Sequence, residues 1–118
     1  MKRILLAFII FLALAGAVFA ENKCISSGLL TADAQVMTRS GDSWRCLCGV
    51  VLLPAAAAST LILYDNASAA GTVLYKGSAD ASGLPTGFPP SDICINVDTG
   101  IYADVSGADA AYIIWYRE

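Results

Sequence analysis

The sequence contains no histidine among its 118 residues. Histidine is the commonest general base and a member of the usual catalytic triads, so its absence removes the most frequent forms of acid–base and nucleophilic catalysis. The aspartates do not replace it, because they are spread singly through the chain with no spacing typical of a glycosidase carboxylate pair. These residues are Asp33, Asp42, Asp65, Asp80, Asp92, Asp98, Asp104 and Asp109. The sequence therefore predicts a protein that is not an enzyme and needs no cofactor.

Basic residues are also few. Seven Lys and Arg stand against ten Asp and Glu, which gives a net charge of −3. A nucleic-acid-binding domain concentrates Lys and Arg on one surface or along one helix, and this sequence has no such cluster. Nucleic acid is therefore excluded as a direct partner.

The N-terminal segment has the pattern of a secretory signal peptide. Lys2 and Arg3 precede an uncharged stretch at residues 4–20, which ends in Val18-Phe19-Ala20. A basic start, an apolar centre and small residues before a cleavage point predict removal of residues 1–20 and an exported protein. The alternative is an uncleaved membrane anchor over residues 4–20, which would be the protein's only membrane contact.

Residues 21–118 are then expected to form a single exported domain, periplasmic, extracellular or on a virion or cell surface. Without Lys2 and Arg3, five basic residues stand against ten acidic ones, so the domain carries a net charge of −5. A chain of 98 residues buries too little surface to be very stable by core packing alone.

All four cysteines, Cys24, Cys46, Cys48 and Cys94, lie in this domain. An even count in a short exported chain predicts disulfides. Cys46 and Cys48 are two residues apart, so on a strand they point to the same side and are poorly placed to bond each other. We expect each to bond either Cys24 or Cys94. A zinc site is not expected, because histidine is absent and C-x-C is not a zinc-knuckle spacing. Nor do Asp65, Asn66 and Asp98 have a recognisable calcium-ligand spacing.

Alternating apolar and polar residues, separated by turn residues, predict about seven or eight short strands and no helix after the signal. The expected fold is all-β, a small antiparallel β-sandwich of jelly-roll or Ig-like type. The predicted strands cover residues 30–37, 44–53, 60–64, 72–76, 93–97, 101–106 and 110–117. The strand at 44–53 is apolar on both faces, so we expect it to be central. Residues 77–91 contain most of the prolines and are expected to form a surface loop.

Two features bear on binding. The aromatic residues Tyr64, Tyr75, Tyr102, Tyr112, Trp115 and Tyr116 are expected either to fill the core or to form a stacking platform for glycans. The last strand is apolar on both faces, so it is expected to be central or covered by a partner chain. Asn66-Ala67-Ser68 matches an N-glycosylation sequon, but we interpret Asp65-Asn66 as turn chemistry.

Four stretches resemble small bacteriophage structural proteins, and the likeness as a whole covers about residues 45–117. They are residues 49–52 (GVVL), 57–66 (AASTLILYDN), 70–74 (AGTVL) and 100–107 (GIYADVSG). The resemblance implies a β-sandwich that decorates a capsid or associates with a tail. The export signal and the cysteines depart from that family.

The resemblance and the missing catalytic residues predict a non-enzymatic structural or assembly module, virion-associated or exported, that packs against copies of itself or a larger assembly. The alternative is a secreted binding module that recognises glycans or a surface receptor through residues 77–91 and exposed tyrosines.

Overall fold

The computed structural model describes residues 24–39 and 45–117, and this part of the chain is all-β. The predicted signal peptide, the expected turn at residues 40–42 and Trp44 lie outside the described residues. Within them no helix is long and apolar enough to cross a membrane. The strands are β1 (Ile25–Ser26), β2 (Ala34–Thr38), β3 (Cys46–Leu53), β4 (Ser59–Asp65), β5 (Thr72–Ala79), β6 (Thr86–Phe88), β7 (Ile95–Asn96), β8 (Gly100–Ser106) and β9 (Ala111–Arg117).

These strands form two antiparallel sheets. Sheet A has the order β1-β9-β3-β6, with β7 also paired to β3, and sheet B has the order β2-β8-β4-β5. One continuous core joins the two sheets, as expected when each contributes alternate apolar residues to a shared interior. Its buried members are Met37, Leu47, Val50, Leu52, Leu61, Leu63, Ala79, Val97, Ile101, Ala103, Tyr112 and Ile114. The prediction of an all-β fold built from packed antiparallel strands is confirmed.

Strand β3 lies at the centre of sheet A, as its two apolar faces predict. It pairs with β9 on one side and with β6 and β7 on the other. On the side away from the core, the Pro89-Pro90 segment lies so close to Gly49 that a Cβ there would be 2.8 Å from the Pro90 nitrogen. Glycine is therefore required at position 49. The strand ends at Leu53, immediately before Pro54, which has no N–H to donate to a ladder.

Strand β9 is also central. It pairs with β3 from Cys46↔Arg117 to Leu53↔Ala111 and with β1 on its other side. This strand is apolar on both faces and was expected to be either central or covered by a partner chain. The structure places it inside sheet A, with a paired strand on each side.

The structure differs from the sequence prediction around the proline-rich loop. Strand β5 continues to Ala79, and residues 77–91 contain a further strand, β6, which pairs with Val50–Leu52 of β3. Gly87 has φ +131°, and a Cβ there would overlap the Val50 carbonyl oxygen. The loop is thus anchored along the edge of sheet A.

Three further boundaries are corrected. Strand β7 covers only Ile95–Asn96 of the predicted 93–97, because Cys94 before it is tied to Cys46. Strand β2 begins at Ala34, and only an isolated bridge, Leu30↔Tyr112, remains of the predicted start at residue 30. Strand β1 lies outside every strand predicted from the sequence, and it pairs with Tyr116 and Trp115 of β9.

Candidate functional site

Two disulfides tie peripheral segments to the central strand. Cys24 bonds Cys48 with a Cα–Cα separation of 6.5 Å, and Cys46 bonds Cys94 with a separation of 5.1 Å. Each cysteine of the C-x-C pair thus bonds a distant partner, as expected, and the structure decides between the two possible pairings. The register of β3 against β9 shifts between Leu47 and Gly49, so Cys48 lies in a β-bulge.

The proline-rich loop and the last strand, the two regions expected to contact a partner, meet at one groove on the outer face of sheet A. Its volume is about 310 Å³, and its walls are Cys24, Pro90, Ser91, Asp92 and Trp115. The end of the proline-rich loop thus lies beside the last strand. The Ser91 N–H donates to the Cys48 carbonyl at 3.2 Å, so the loop is fixed to the β3 bulge. The groove is open to solvent.

The six aromatic residues do not form one platform. Tyr112 is fully buried, and Tyr75 and Tyr116 pack against the core. The Tyr75 ring meets Phe88 edge to face, with 5.9 Å between ring centroids. Trp115 lies on the outer face of sheet A. Tyr64 and Tyr102 lie directly opposite each other on β4 and β8, on the outer face of sheet B.

Asp65 bridges the turn that carries the chain from sheet A to sheet B. Its Oδ2 accepts the Asp98 N–H at 2.9 Å, and its Oδ1 accepts the N–H groups of Thr99 at 2.7 Å and Gly100 at 3.3 Å. The side chain of Arg39 holds the same turn, because Nη1 donates to the Asp98 carbonyl at 3.2 Å. Both carboxylate oxygens of Asp65 are thus committed to main-chain amides.

Asn66 closes the β4–β5 hairpin. Its Nδ2 donates to the Ala70 carbonyl at 2.9 Å, and its Oδ1 accepts the Ala67 N–H at 2.8 Å. Both the oxygen and the nitrogen of the Asn66 side-chain amide therefore bond to the main chain of the turn. This agrees with the interpretation of Asp65-Asn66 as turn residues. Among residues 24–39 and 45–117, no three His, Cys, Asp or Glu residues converge in a way that could hold a metal ion.

Tyr112 reaches across the core to the edge of sheet B. Its hydroxyl donates to the Ala32 carbonyl at 2.6 Å, and the side chain is 0% exposed. Burial raises the pKa of Tyr112 to about 12, and the negative charge of Asp33 and the neighbouring Tyr102 add to the effect. The folded protein therefore keeps the Tyr112 hydroxyl protonated, as a hydrogen-bond donor.

We expect this phenol to make the fold sensitive to high pH. The folded state holds its proton up to pH about 12, while the unfolded chain releases it near pH 10. Stability is therefore complete below pH 10 and falls by roughly 2–3 kcal/mol as the pH rises towards 12. Urea unfolding between pH 8 and 12 measures this slope, and it should be much smaller in Tyr112→Phe. An equal slope in that variant would contradict the assignment.

Comparison with known proteins identifies no relative. No family model matches the chain, and no curated protein or solved structure is significantly similar to it. The resemblance to phage structural proteins therefore remains a prediction.

Proposed function

We propose that this protein is a non-enzymatic structural module with a jelly-roll fold, which packs against copies of itself in an exported or virion-associated assembly. The strand orders β1-β9-β3-β6 and β2-β8-β4-β5 support the jelly-roll assignment. In that fold two four-stranded sheets arise from two Greek keys, with strands one, eight, three and six in one sheet and two, seven, four and five in the other. The strands of this protein have the same order when β6 and β7, which both pair with β3, are counted as one strand. Strands β8 and β9 are then the seventh and eighth strands. Capsid and lectin domains share the architecture.

The observation that carries the proposal is an apolar strip on the outer face of sheet A. Val51 lies directly opposite Ile113, and Leu53 lies opposite Ala111. Val51, Leu53, Ile113 and Trp115 are all half-buried and face away from the core. No charged residue interrupts β3 from Gly49 to Leu53, or β9 from Ala111 to Trp115. Apolar residues on the outer side of central strands are typical of a surface that a partner covers.

A second copy of the chain is the occupant that the charge distribution favours. Copies of a domain with a net charge of −5 repel each other overall, so a contact between them needs a surface that adds no like charge. The strip meets this condition, and a two-fold axis through it would place apolar residues of each copy against the same residues of the other.

Other features support the remaining parts of the proposal. The two disulfides indicate an oxidising environment, as in exported proteins. The carboxylates of Asp33 and Asp65 accept main-chain N–H groups at 2.7–3.3 Å, which suits structural roles. The resemblance to phage structural proteins favours a virion or another large particle as the assembly.

Light scattering after size-exclusion chromatography, and sedimentation at 1–500 μM, would test self-association. A matched pair of double variants separates the two outer faces: Val51→Thr with Ile113→Thr on sheet A, and Ile62→Thr with Val73→Thr on sheet B. Each removes one Ile and one Val from neighbouring strands. We expect the sheet A variant to weaken self-association at least tenfold, a loss of about 1.4 kcal/mol, and the sheet B variant to leave it unchanged. A monomer throughout this range, or equal effects of both variants, would overturn the proposal.

A further inference from the structure

The outer face of sheet B differs in chemistry from that of sheet A. Tyr64 lies directly opposite Tyr102, and the same row continues to Gln35 on β2 and to Val73 on β5. Both tyrosines are half-buried, and Val73 is 50% exposed. Neighbouring strands place such side chains about 5 Å apart. The row therefore has two adjacent aromatic side chains at its centre.

Polar side chains with free hydrogen-bonding groups surround this pair. In the next row, Lys76 and Asp104 lie on either side of Ile62. Within the described residues, Gln35, Lys76 and Asp104 make no side-chain hydrogen bond or ion pair. Asp33, Asp65 and Asn66 are different, because their side chains bind main-chain groups. The donors and acceptors around the tyrosine pair are thus available to a ligand.

We propose that this face binds a neutral pyranose oligosaccharide, which lies across the strands with two sugar rings over Tyr64 and Tyr102. A pyranose ring has an apolar C–H face that packs on an aromatic ring and a rim of hydroxyls that both donate and accept hydrogen bonds. The tyrosine pair fits the first feature. The amide of Gln35, the ammonium of Lys76 and the carboxylate of Asp104 fit the second.

The balance of charge favours a neutral sugar. Lys76 and Asp104 offset each other across Ile62, and the row of Tyr64 and Tyr102 is uncharged. An anionic polysaccharide would need an excess of basic side chains, as polyanion-binding surfaces generally do. The third row contains only hydroxyl side chains, with Thr60 Oγ1 3.4 Å from Ser78 Oγ, and these can also bond sugar hydroxyls.

This inference goes beyond the proposed function and uses the opposite side of the molecule. Sheet A would contact other copies of the chain, while sheet B would stay exposed to solvent. An assembled particle would then display many copies of a weak sugar site, which raises avidity without any new contact.

The test uses the full chain expressed with its own N-terminal segment into an oxidising compartment, with both disulfides verified by mass spectrometry. Titration calorimetry would use four hexasaccharides: β-1,4-glucose, β-1,4-N-acetylglucosamine, α-1,4-glucose and a heparin fragment. We expect at least one neutral hexasaccharide to bind at micromolar to millimolar concentration, and the heparin fragment not to bind. The bound sugar should shift the ring NMR signals of Tyr64 and Tyr102 in the unmodified protein.

Variants locate the site. Tyr64→Ala and Tyr102→Ala should each weaken binding about tenfold, as expected for the loss of one aromatic contact. Tyr102→Phe keeps the ring and should stay within threefold, and Asp92→Ala in the groove on sheet A should leave the affinity unchanged. Far-UV circular dichroism and urea midpoints check that each variant is folded. Three outcomes would overturn the inference: no binding of any neutral hexasaccharide at 5 mM, binding that shifts neither tyrosine, or binding lost in Asp92→Ala, which would move the site to the groove.

Discussion

Replacing Cys46 and Cys94 together by alanine is expected to lower the free energy of unfolding by about 4 kcal/mol. The bond closes a loop with a sequence separation of 48 residues, and it holds the segment before β7 against the central strand. Without it, the unfolded chain gains conformational freedom that folding must then remove. Because a domain of this size is only marginally stable, we expect this variant to be largely unfolded at 37 °C.

The Cys24–Cys48 bond provides the matched control. Its sequence separation is 24 residues, so the double alanine variant is expected to lose slightly less, about 3.5 kcal/mol. Urea unfolding of both variants and of the native protein measures the order of the two losses. A larger loss for Cys24–Cys48 would contradict the loop-closure explanation. Unchanged stability in both variants, or cross-linked peptides that show the other pairing, would contradict the disulfide assignment itself.

Replacing Asp65 by alanine is expected to cost about 3 kcal/mol, because hydrogen bonds to a charged acceptor each contribute roughly 1.5–3 kcal/mol and water recovers part of the loss. Three successive main-chain N–H groups, those of Asp98, Thr99 and Gly100, lose their shared acceptor. The turn that joins the two sheets then depends on its weaker remaining contacts, which include the Arg39 side chain on the Asp98 carbonyl and the Arg39 N–H on the Thr99 carbonyl. We expect Asp65→Asn to lose most of the same stability, because its amide nitrogen cannot accept hydrogen bonds.

Asp80→Ala is the matched control for Asp65→Ala. Asp80 is exposed in the loop after β5, and its side chain makes no hydrogen bond within the described part of the chain. Thermal and urea unfolding should show a change within about 0.5 kcal/mol for this variant. Hydrogen exchange adds a local measurement, because the amides of Thr99 and Gly100 should lose protection in Asp65→Ala alone. Equal effects of the two substitutions would show that the Asp65 hydrogen bonds do not stabilise the turn.

The regular strands could be predicted because their residues alternate between one buried and one exposed side. Strands β4 and β8 have this pattern, whereas β3 and β9 could be predicted from continuous runs of apolar residues that include β-branched or aromatic side chains. Strand β6 could not be predicted, because it has three residues and is a strand only where the edge of β3 offers it partners. The same is true of β1, whose position depends on the Cys24–Cys48 bond, whereas β7 is the paired part of the strand predicted at residues 93–97.

The candidate sites were predictable only as sets of residue types. Trp115 and the proline-rich loop are distant in sequence, and their meeting depends on the β3 bulge and the Cys24–Cys48 bond. The tyrosines have similar sequence surroundings, yet register alone decides that Tyr112 fills the core while Tyr64 and Tyr102 share an outer row. A shift of one residue in the register of a strand would move its tyrosine to the opposite face of the sheet.

The central position of β3 has a consequence for the time course of folding. Its neighbours, β9 and β6, both follow it by long stretches of chain, so neither edge of β3 can be paired early. Pairings between distant parts of a sequence form slowly, because a large loop must close before any contact forms. Until then the Cys46–Leu53 stretch exposes two unpaired edges that can join other chains. Apart from its two cysteines, this stretch contains only glycine, valine and leucine, a composition that favours aggregation. We therefore expect refolding yields to fall steeply as protein concentration rises, and a chaperone that shields β3 until β9 arrives would restore them.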